Sequence, residues 1–319
     1  MFFMGMSPLQ KSASWIDVAH KIYNKLMAKP KQAGREAMFE RLKLNTKLLV
    51  GFLIIIAFII IVAAISYFSF QRIMHLDQLD TYLGTTEVNI LQLRRMEKTF
   101  LTEGVTNDSF LKTGKSSYLT KHNEIYDEIN LGFSNLLNHE LTNSQVASEV
   151  KQIKQYLQDY QKQFKQIVHK LKAMGFKEYG LRGELRQSIH SVEVTSKQLT
   201  KNSKISHQLQ AAMLTLRRNE KDYFLRSDLT YVNKLHQNAE HFKSIIRASS
   251  LINTKKQSMI KAVDYYISKF NNVVAIEKEV GLTASSGIRG QMQAAFRALE
   301  PKYHNIKKTL HNLILDSHA

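Results

Sequence analysis

The sequence predicts an all-α protein, with one transmembrane helix followed by two stacked helical bundles that share long helices. First, the 319 residues include three prolines and no cysteine, and long stretches lack turn-forming residues, which is typical of helical proteins. Second, residues 48–70 carry no charged side chain. Third, several motifs occur twice in the same order, which indicates duplicated bundles rather than a solenoid of shorter repeats.

The first element is a basic arm, residues 1–46. Residues 1–47 hold nine Lys or Arg side chains against three acidic ones. Apolar residues from Trp15 to Leu26 recur at helical spacing, which fits a short amphipathic helix on the inner leaflet. A disordered leader fits equally well, and both readings stay open. The Lys29-Pro30-Lys31 stretch would end the helix.

The second element is the predicted transmembrane helix, residues 47–70. Its 23 uncharged residues, Leu48 to Phe70, reach roughly 34 Å at about 1.5 Å each, enough to cross a hydrocarbon core of about 30 Å. The excess of basic residues before it places the arm in the cytoplasm and residues 71–319 outside. We therefore expect a single-span membrane anchor.

The third element, residues 71–319, is predicted to contain seven helices: one that continues from the membrane to about Leu101, then 109–138, 143–174, 181–226, 229–250, 255–279 and 288–316. If both ends of the domain lie at the membrane, the number of helices should be even, so seven does not fit. Either Thr200–Ser203 is a further reversal, or one glycine region is only a kink. A single helix over 181–226 would be about 68 Å long and would run through both bundles.

The main repeated motif carries arginine and glutamate. Residues 91–101, LQLRRMEKTFL, return as LTLRRNEKDYF at 214–224, and the internal repeats cover roughly 91–185 and 214–292. Glu97 and Glu220 fall where the helix seam expects an apolar residue, so each is expected to have a partner. Arg94 and Arg217 precede them by three residues. They either form a weak pair within the helix, worth about 0.2–0.5 kcal/mol when exposed, or bind a ligand.

Two shorter motifs also return. Tyr160 and Phe164 return as Tyr266 and Phe270 and are spaced like core residues. The GLRG stretch at 180–183 returns as GIRG at 287–290, and each copy opens a helix. Arg182 and Arg289 then lie at the positive end of a helix dipole, where a bound carboxylate would be favourable. A glycine boundary with a solvated arginine explains the motif equally well.

Other chemistry is not predicted. The 12 histidines are scattered, with no metal-ligand spacing. No phosphate loop, catalytic triad or carboxylate pair is present, so we expect neither an enzyme nor a cofactor. The net charge of +18 would ordinarily suggest nucleic acid. Outside a membrane it fits small anionic molecules or the bilayer surface better, so no nucleic-acid partner is expected.

These motifs resemble a known family. The stretch LNTKLLVGF at 44–52 resembles the start of a bacterial methyl-accepting chemotaxis receptor. The paired LRRxEKxF and GLRG elements resemble the helical bimodular sensor domain of such receptors and of some sensor histidine kinases. The resemblance covers about residues 45–319. It implies an anchor in the bacterial inner membrane and a periplasmic domain of two bundles that bind small organic acids. It also implies a homodimer or a receptor partner.

The resemblance also implies which residues contact the ligand. These candidates are Arg94, Arg95, Glu97, Arg182, Arg217, Arg218, Glu220 and Arg289. The family continues with a second membrane helix, a HAMP linker and a cytoplasmic signalling coil, whereas this sequence stops at Ala319. We therefore expect either a truncated receptor or a one-span sensor that signals through a partner.

Three functions remain as hypotheses. The first is an anchored periplasmic sensor of a small carboxylate. The second is a helical interaction module that docks a periplasmic binding protein or another receptor. The third is a basic cytoplasmic domain on a reversed anchor that touches nucleic acid. The first and second differ in whether the seam arginines face a cavity or pair fully with Glu97 and Glu220.

Overall fold

The protein is all-α, as the sequence predicts. The computed structural model describes residues 43–139, 142–199 and 205–318. Within these ranges it contains nine α-helices, no strand and one 3-10 turn at Gly104–Thr106. The helices are α1 Leu44–Thr102, α2 Asp108–Thr113, α3 Ser117–Asn138, α4 Ser144–Met174, α5 Gly180–Leu199, α6 Ile205–Arg226, α7 Thr230–Ala248, α8 Asn253–Val280 and α9 Gly287–His318. Most of the basic arm, including the amphipathic stretch Trp15 to Leu26, lies outside the described residues.

Helix α1 joins the apolar segment to the first repeated motif without a break. It has 59 residues, and most of its apolar side chains from Leu48 to Phe70 are exposed. Within the described ranges it is the one helix long and apolar enough to cross a membrane, by length and composition. The continuity follows from sequence, because no proline interrupts residues 44–102.

The chain divides into two compact units. The described part of the first unit is residues 43–86, 131–139, 142–150 and 304–318. Here α1 and α3 approach closely at Gly132, where an added Cβ would lie 2.4 Å from Oγ1 of Thr86. Buried apolar side chains of this unit come from α1, α3, α4 and α9: Leu79, Leu83, Phe133, Leu136, Val146, Val150, Ile306 and Leu310.

The second unit, residues 87–130 and 151–303, contains two groups of four helices. The first bundle is formed by the parts of α1, α3, α4 and α9 that belong to this unit. Tyr160 of α4 ties it together, because its side chain contacts Glu97 of α1, His122 of α3 and Phe296 of α9. The tyrosine therefore lies at the centre of the first bundle.

The second bundle is formed by α5, α6, α7 and α8 around one apolar core. The guanidinium of Arg182, at the start of α5, lies over the ring of Phe224, at the end of α6. The two helices are therefore antiparallel neighbours, and a single helix over 181–226 is wrong. The alternative of a further reversal near Thr200–Ser203 agrees with this packing, although residues 200–204 themselves are outside the described ranges. The extra helix makes eight long helices in the described ranges, and the ninth, α2, has only six residues.

The predicted helix over 109–138 is also divided. Helix α2 ends at Gly114, which has a φ of 78°, and α3 begins at Ser117. A left-handed residue ends a helix, and glycine adopts this conformation without steric cost. The other predicted helices agree with the structure to within three residues at each end.

Candidate functional site

The two repeated glutamates are buried and accept the same kind of hydrogen bond. Glu97 is 3% exposed, and the hydroxyl of Tyr160 donates to its Oε2 at 2.8 Å. Glu220 is 9% exposed, and the hydroxyl of Tyr266 donates to its Oε2 at 2.7 Å. The expectation that both seam glutamates have partners is confirmed. Each partner is the tyrosine of the repeated pair in which Tyr160 and Phe164 return as Tyr266 and Phe270.

The aromatic contacts beside these pairs are duplicated as well. Phe100 and Phe164 meet edge to face with ring centroids 5.9 Å apart. Tyr223 and Phe270 occupy the corresponding positions and meet edge to face at 5.4 Å. The repeated sequence therefore builds the same three-dimensional arrangement twice, once in each bundle.

In the first bundle the network extends on both sides of the Glu97–Tyr160 pair. Arg94 forms an ion pair with Glu97, and its guanidinium lies 4.5 Å from the ring centroid of Phe296. On the other side, Nε2 of His122 lies 3.0 Å from the hydroxyl of Tyr160. Since that hydroxyl already donates to Glu97, the histidine must donate to it, which fixes the Nε2–H tautomer.

His122 is fully buried and neutral. Burial, with a smaller contribution from the charge of Lys165, lowers its pKa from 6.5 to about 4. Its ring stacks on Phe164 at 4.2 Å, and its Nδ1 has no hydrogen-bond partner among the described residues. A neutral histidine is the form that can donate to Tyr160 without placing a second positive charge in the core.

The second bundle lacks this extension. Arg217 is partly buried but makes no ion pair with Glu220 in the described structure, and it acts on that carboxyl only at longer range. Burial raises the pKa of Glu220, against the opposing effect of the Tyr266 hydrogen bond. Arg182 and Arg289 are equivalent positions of the repeated Gly-x-Arg-Gly motif. The residue equivalent to Phe296, which stands seven positions after Arg289, is therefore Ile189, seven positions after Arg182. The aromatic surface that supports Arg94 therefore has no counterpart for Arg217.

The glycines of the Gly-x-Arg-Gly motif are needed by the turn that precedes each helix. Gly180 and Gly287 have φ values of 63° and 59°. An added Cβ would lie 2.4 Å from backbone atoms of Glu178 at Gly183 and of Ser285 at Gly290. The N–H groups of these last two glycines donate to the carbonyl oxygens of Tyr179 and Ser286. These two N–H groups are therefore used in hydrogen bonds within the chain, and fewer N–H groups remain to bind an anion than we expected.

The arginines of this motif differ in their partners. Arg182 donates to Oε1 of Glu277 on α8 at 2.6 Å. Arg289 has no ion-pair partner among the described residues, and its Nε is buried without a hydrogen bond. Among the four arginines Arg94, Arg182, Arg217 and Arg289, each bundle therefore contains one that is paired with a glutamate, Arg94 or Arg182. Each also contains one that is partly buried without an anionic partner in contact, Arg289 or Arg217.

The remaining two candidates lie apart from these networks. Arg95 and Arg218 are exposed, and neither takes part in a hydrogen bond or ion pair through its side chain in the described structure. They follow Arg94 and Arg217 directly, so the helix turns them about 100° away from the seam. The structure thus brings together Arg94 with Glu97, and Arg182 with a glutamate that the sequence did not single out.

Two cavities accompany the bundles, and none of the eight candidates lines either one. One, of about 910 Å³, lies between α6 and α7. The other, of about 780 Å³, lies between α3 and α4. The described residues contain no group of His, Asp or Glu arranged to hold a metal ion.

Sequence reasoning missed the hydroxyl role of Tyr160 and Tyr266, and it missed His122 and Glu277. The repetition of the tyrosines at a fixed place in each copy was the available signal for the first two. His122 and Glu277 carry no such signal, because neither belongs to a repeated motif.

No protein-family model matches this chain, and no curated protein matches it.

Proposed function

We propose that the protein is a membrane-anchored sensor, of the chemoreceptor type, for a small carboxylate. The observation that supports this most is a partly buried arginine in each bundle that forms no ion pair within the described residues, Arg289 in the first and Arg217 in the second. The Nε of Arg289 is buried without a hydrogen bond, and Arg217 acts on Glu220 and Glu193 only at longer range. A carboxylate can satisfy a partly buried guanidinium with two parallel hydrogen bonds. The neighbouring arginines, Arg94 and Arg182, already hold protein carboxylates, so the same fold accommodates that chemistry.

The continuity of α1 supports a route for the signal. Residues 48–70 and Arg94 belong to one helix, so a shift of this helix that accompanies binding would move the membrane segment with it. Small helix shifts at an interface are an established way of passing a signal. In this proposal the bundles lie in the periplasm, the basic arm lies in the cytoplasm, and a homodimer or receptor partner carries the signal further.

The test is thermal unfolding of the full chain, purified in detergent micelles, against a panel of small mono-, di- and tricarboxylates. A ligand that binds only the folded state at 100 times its Kd stabilises it by about 2.7 kcal/mol. We expect a dose-dependent rise in Tm for at least one acid. Arg217→Gln or Arg289→Gln should abolish the rise, depending on which bundle binds. Arg218→Gln removes the same charge from an exposed position and should preserve it.

Failure of every acid to raise the Tm of the folded chain would contradict the carboxylate proposal and favour protein docking. Two observations already favour that second function. Arg94 and Arg182 each form an ion pair with a protein carboxylate, and the second bundle exposes Leu214, Leu225 and Ile252. The orientation is tested separately with reporters fused after Ala319: activity of a periplasmic reporter is expected, and activity of a cytoplasmic one would reverse the topology.

A further inference from the structure

A second polar site lies on the outside of the first bundle, apart from the repeated arginines. It is the 780 Å³ cavity between α3 and α4, which we call the lysine groove. Tyr126 of α3 and a stripe of α4 line it, and the stripe includes Gln161, Lys162, Lys165, His169 and Lys170. These α4 residues recur every three or four positions, so they share one face of the helix.

The groove is strongly cationic. Three lysines line it and no acidic side chain does. Lys170 is paired with Glu279. Lys162 and Lys165 are exposed and make no hydrogen bond or ion pair in the described structure. The charge of Lys165 is nevertheless felt by the buried His122 behind it. Two uncompensated ammonium groups one turn apart repel each other, and an anion with more than one charge would relieve that repulsion.

A buried hydrogen-bond acceptor beside the groove indicates a second property of its ligand. Gln161 is 5% exposed, and its Nε2 donates to Oδ1 of Asn123 at 3.0 Å. Its Oε1 is buried and has no partner. A carboxylate or phosphate oxygen cannot satisfy an acceptor, whereas a hydroxyl group can donate to it. The groove therefore combines cations with an unmet need for a hydroxyl donor.

We propose that the lysine groove binds a small anion with two or more negative charges and a hydroxyl group. A hydroxy-polycarboxylate and a phosphorylated sugar both have this chemistry. This site is distinct from the arginines proposed to bind carboxylate in the bundle seams. Lys162 and Lys165 supply the charge, and Gln161 accepts from the hydroxyl.

The test is isothermal titration of the full chain at low ionic strength with citrate, tricarballylate and glucose 6-phosphate. Tricarballylate has the three carboxylates of citrate without its hydroxyl, so weaker binding of tricarballylate is expected. Lys162→Gln/Lys165→Gln should weaken citrate binding at least about tenfold, because two charge-assisted contacts are lost. Glucose 6-phosphate shows which of the two ligand classes the groove prefers.

The matched control is Lys255→Gln/Lys261→Gln, which removes the same charge from exposed positions of α8. It should leave the citrate affinity unchanged. A second readout is the NMR titration of His122, whose pKa should rise when citrate neutralises the field of Lys165. Equal losses in both double variants, no citrate binding, or a loss in Arg217→Gln and Arg289→Gln but not in the groove variant would overturn the proposal. The last of these results would still leave the seam arginines as a carboxylate site.

Discussion

The hydroxyl of Tyr160 donates a 2.8 Å hydrogen bond to the buried carboxylate of Glu97, across the interface of α4 and α1. The corresponding pair, Tyr266 and Glu220, joins α8 and α6 at 2.7 Å. A carboxylate in an apolar seam is costly unless it is hydrogen-bonded. Each bundle therefore depends on one tyrosine hydroxyl to keep its glutamate in the core.

The first prediction removes that hydroxyl. Tyr160→Phe leaves Glu97 with one partner fewer and leaves Nε2 of His122 without an acceptor. We expect the free energy of unfolding of the full chain to fall by about 1–3 kcal/mol, measured by denaturant titration. Tyr156→Phe is the control, since Tyr156 lies on the same helix and its hydroxyl makes no hydrogen bond in the described structure. Equal losses in both variants would show that the hydroxyl contributes nothing specific.

The second prediction separates the two glutamates. Burial raises the pKa of Glu220 above its usual 4.5, so the folded state disfavours the ionised form. This group therefore reduces stability progressively as the pH rises above 4.5. Glu220→Gln keeps an acceptor for Tyr266 and cannot ionise. We expect it to raise the Tm at pH 7, with the gain shrinking as the pH falls towards 4.5 and disappearing below it.

Glu97 should behave in the opposite way at neutral pH. It is paired with Arg94, and Glu97→Gln leaves that guanidinium partly buried without its counter-charge. We expect Glu97→Gln to lower the Tm at pH 7. A rise in Tm for this variant, or a fall for Glu220→Gln, would show that the pairing of the arginine does not distinguish the two copies.

The helical architecture could be predicted because its signals are local. The apolar run, the turn residues and the duplicated motifs each act over a few residues, and most of the helix ends they indicate agree with the structure. The end of α2 before Gly114 was missed. Whether residues 181–226 form one helix or two could not be decided in the same way, because Thr200–Ser203 contains neither glycine nor proline. Only the packing of α5 against α6 distinguishes two helices from one.

The site could be predicted less well because its contacts are long-range. The spacing of Glu97 and Glu220 indicated that each needs a partner, and the partners, Tyr160 and Tyr266, stand 63 and 46 residues away. The partner of Arg182 is Glu277, 95 residues away and outside any repeated motif. Sequence periodicity identifies a residue that needs a contact, but tertiary packing decides which residue provides it.

The third prediction concerns two glycines in helices. An added Cβ at Gly183 would lie 2.4 Å from backbone atoms of Glu178, which cannot move as a flexible side chain could. We expect Gly183→Ala to lower the free energy of unfolding by about 2 kcal/mol or more. Gly84 is the matched position, since nothing lies within 4 Å of its added Cβ. Gly84→Ala should stabilise α1 by about 0.5–1 kcal/mol, and destabilisation there would indicate an unseen contact.

The fourth prediction is a loss of stability on acidification that depends on His122. Its pKa in the folded state is about 4, against 6.5 in the unfolded chain. Between these values the unfolded chain takes up a proton and the folded one does not, so the free energy of unfolding falls as the pH drops from 6.5 towards 4. The difference between the two pKa values corresponds to roughly 3 kcal/mol when the change is complete.

The variant His122→Gln tests this directly. Its amide can still donate to the hydroxyl of Tyr160 but cannot take up a proton, so its pH profile should lack the His122 contribution. The quantity to compare is the slope of the free energy of unfolding between pH 6.5 and 4, because the substitution can change the overall stability without affecting that slope. The carboxylates act alike in both proteins and cancel in the comparison. His169→Gln, at an exposed position of the same bundle, should keep the wild-type slope. If His122→Gln keeps it too, the histidine is not buried in its neutral form.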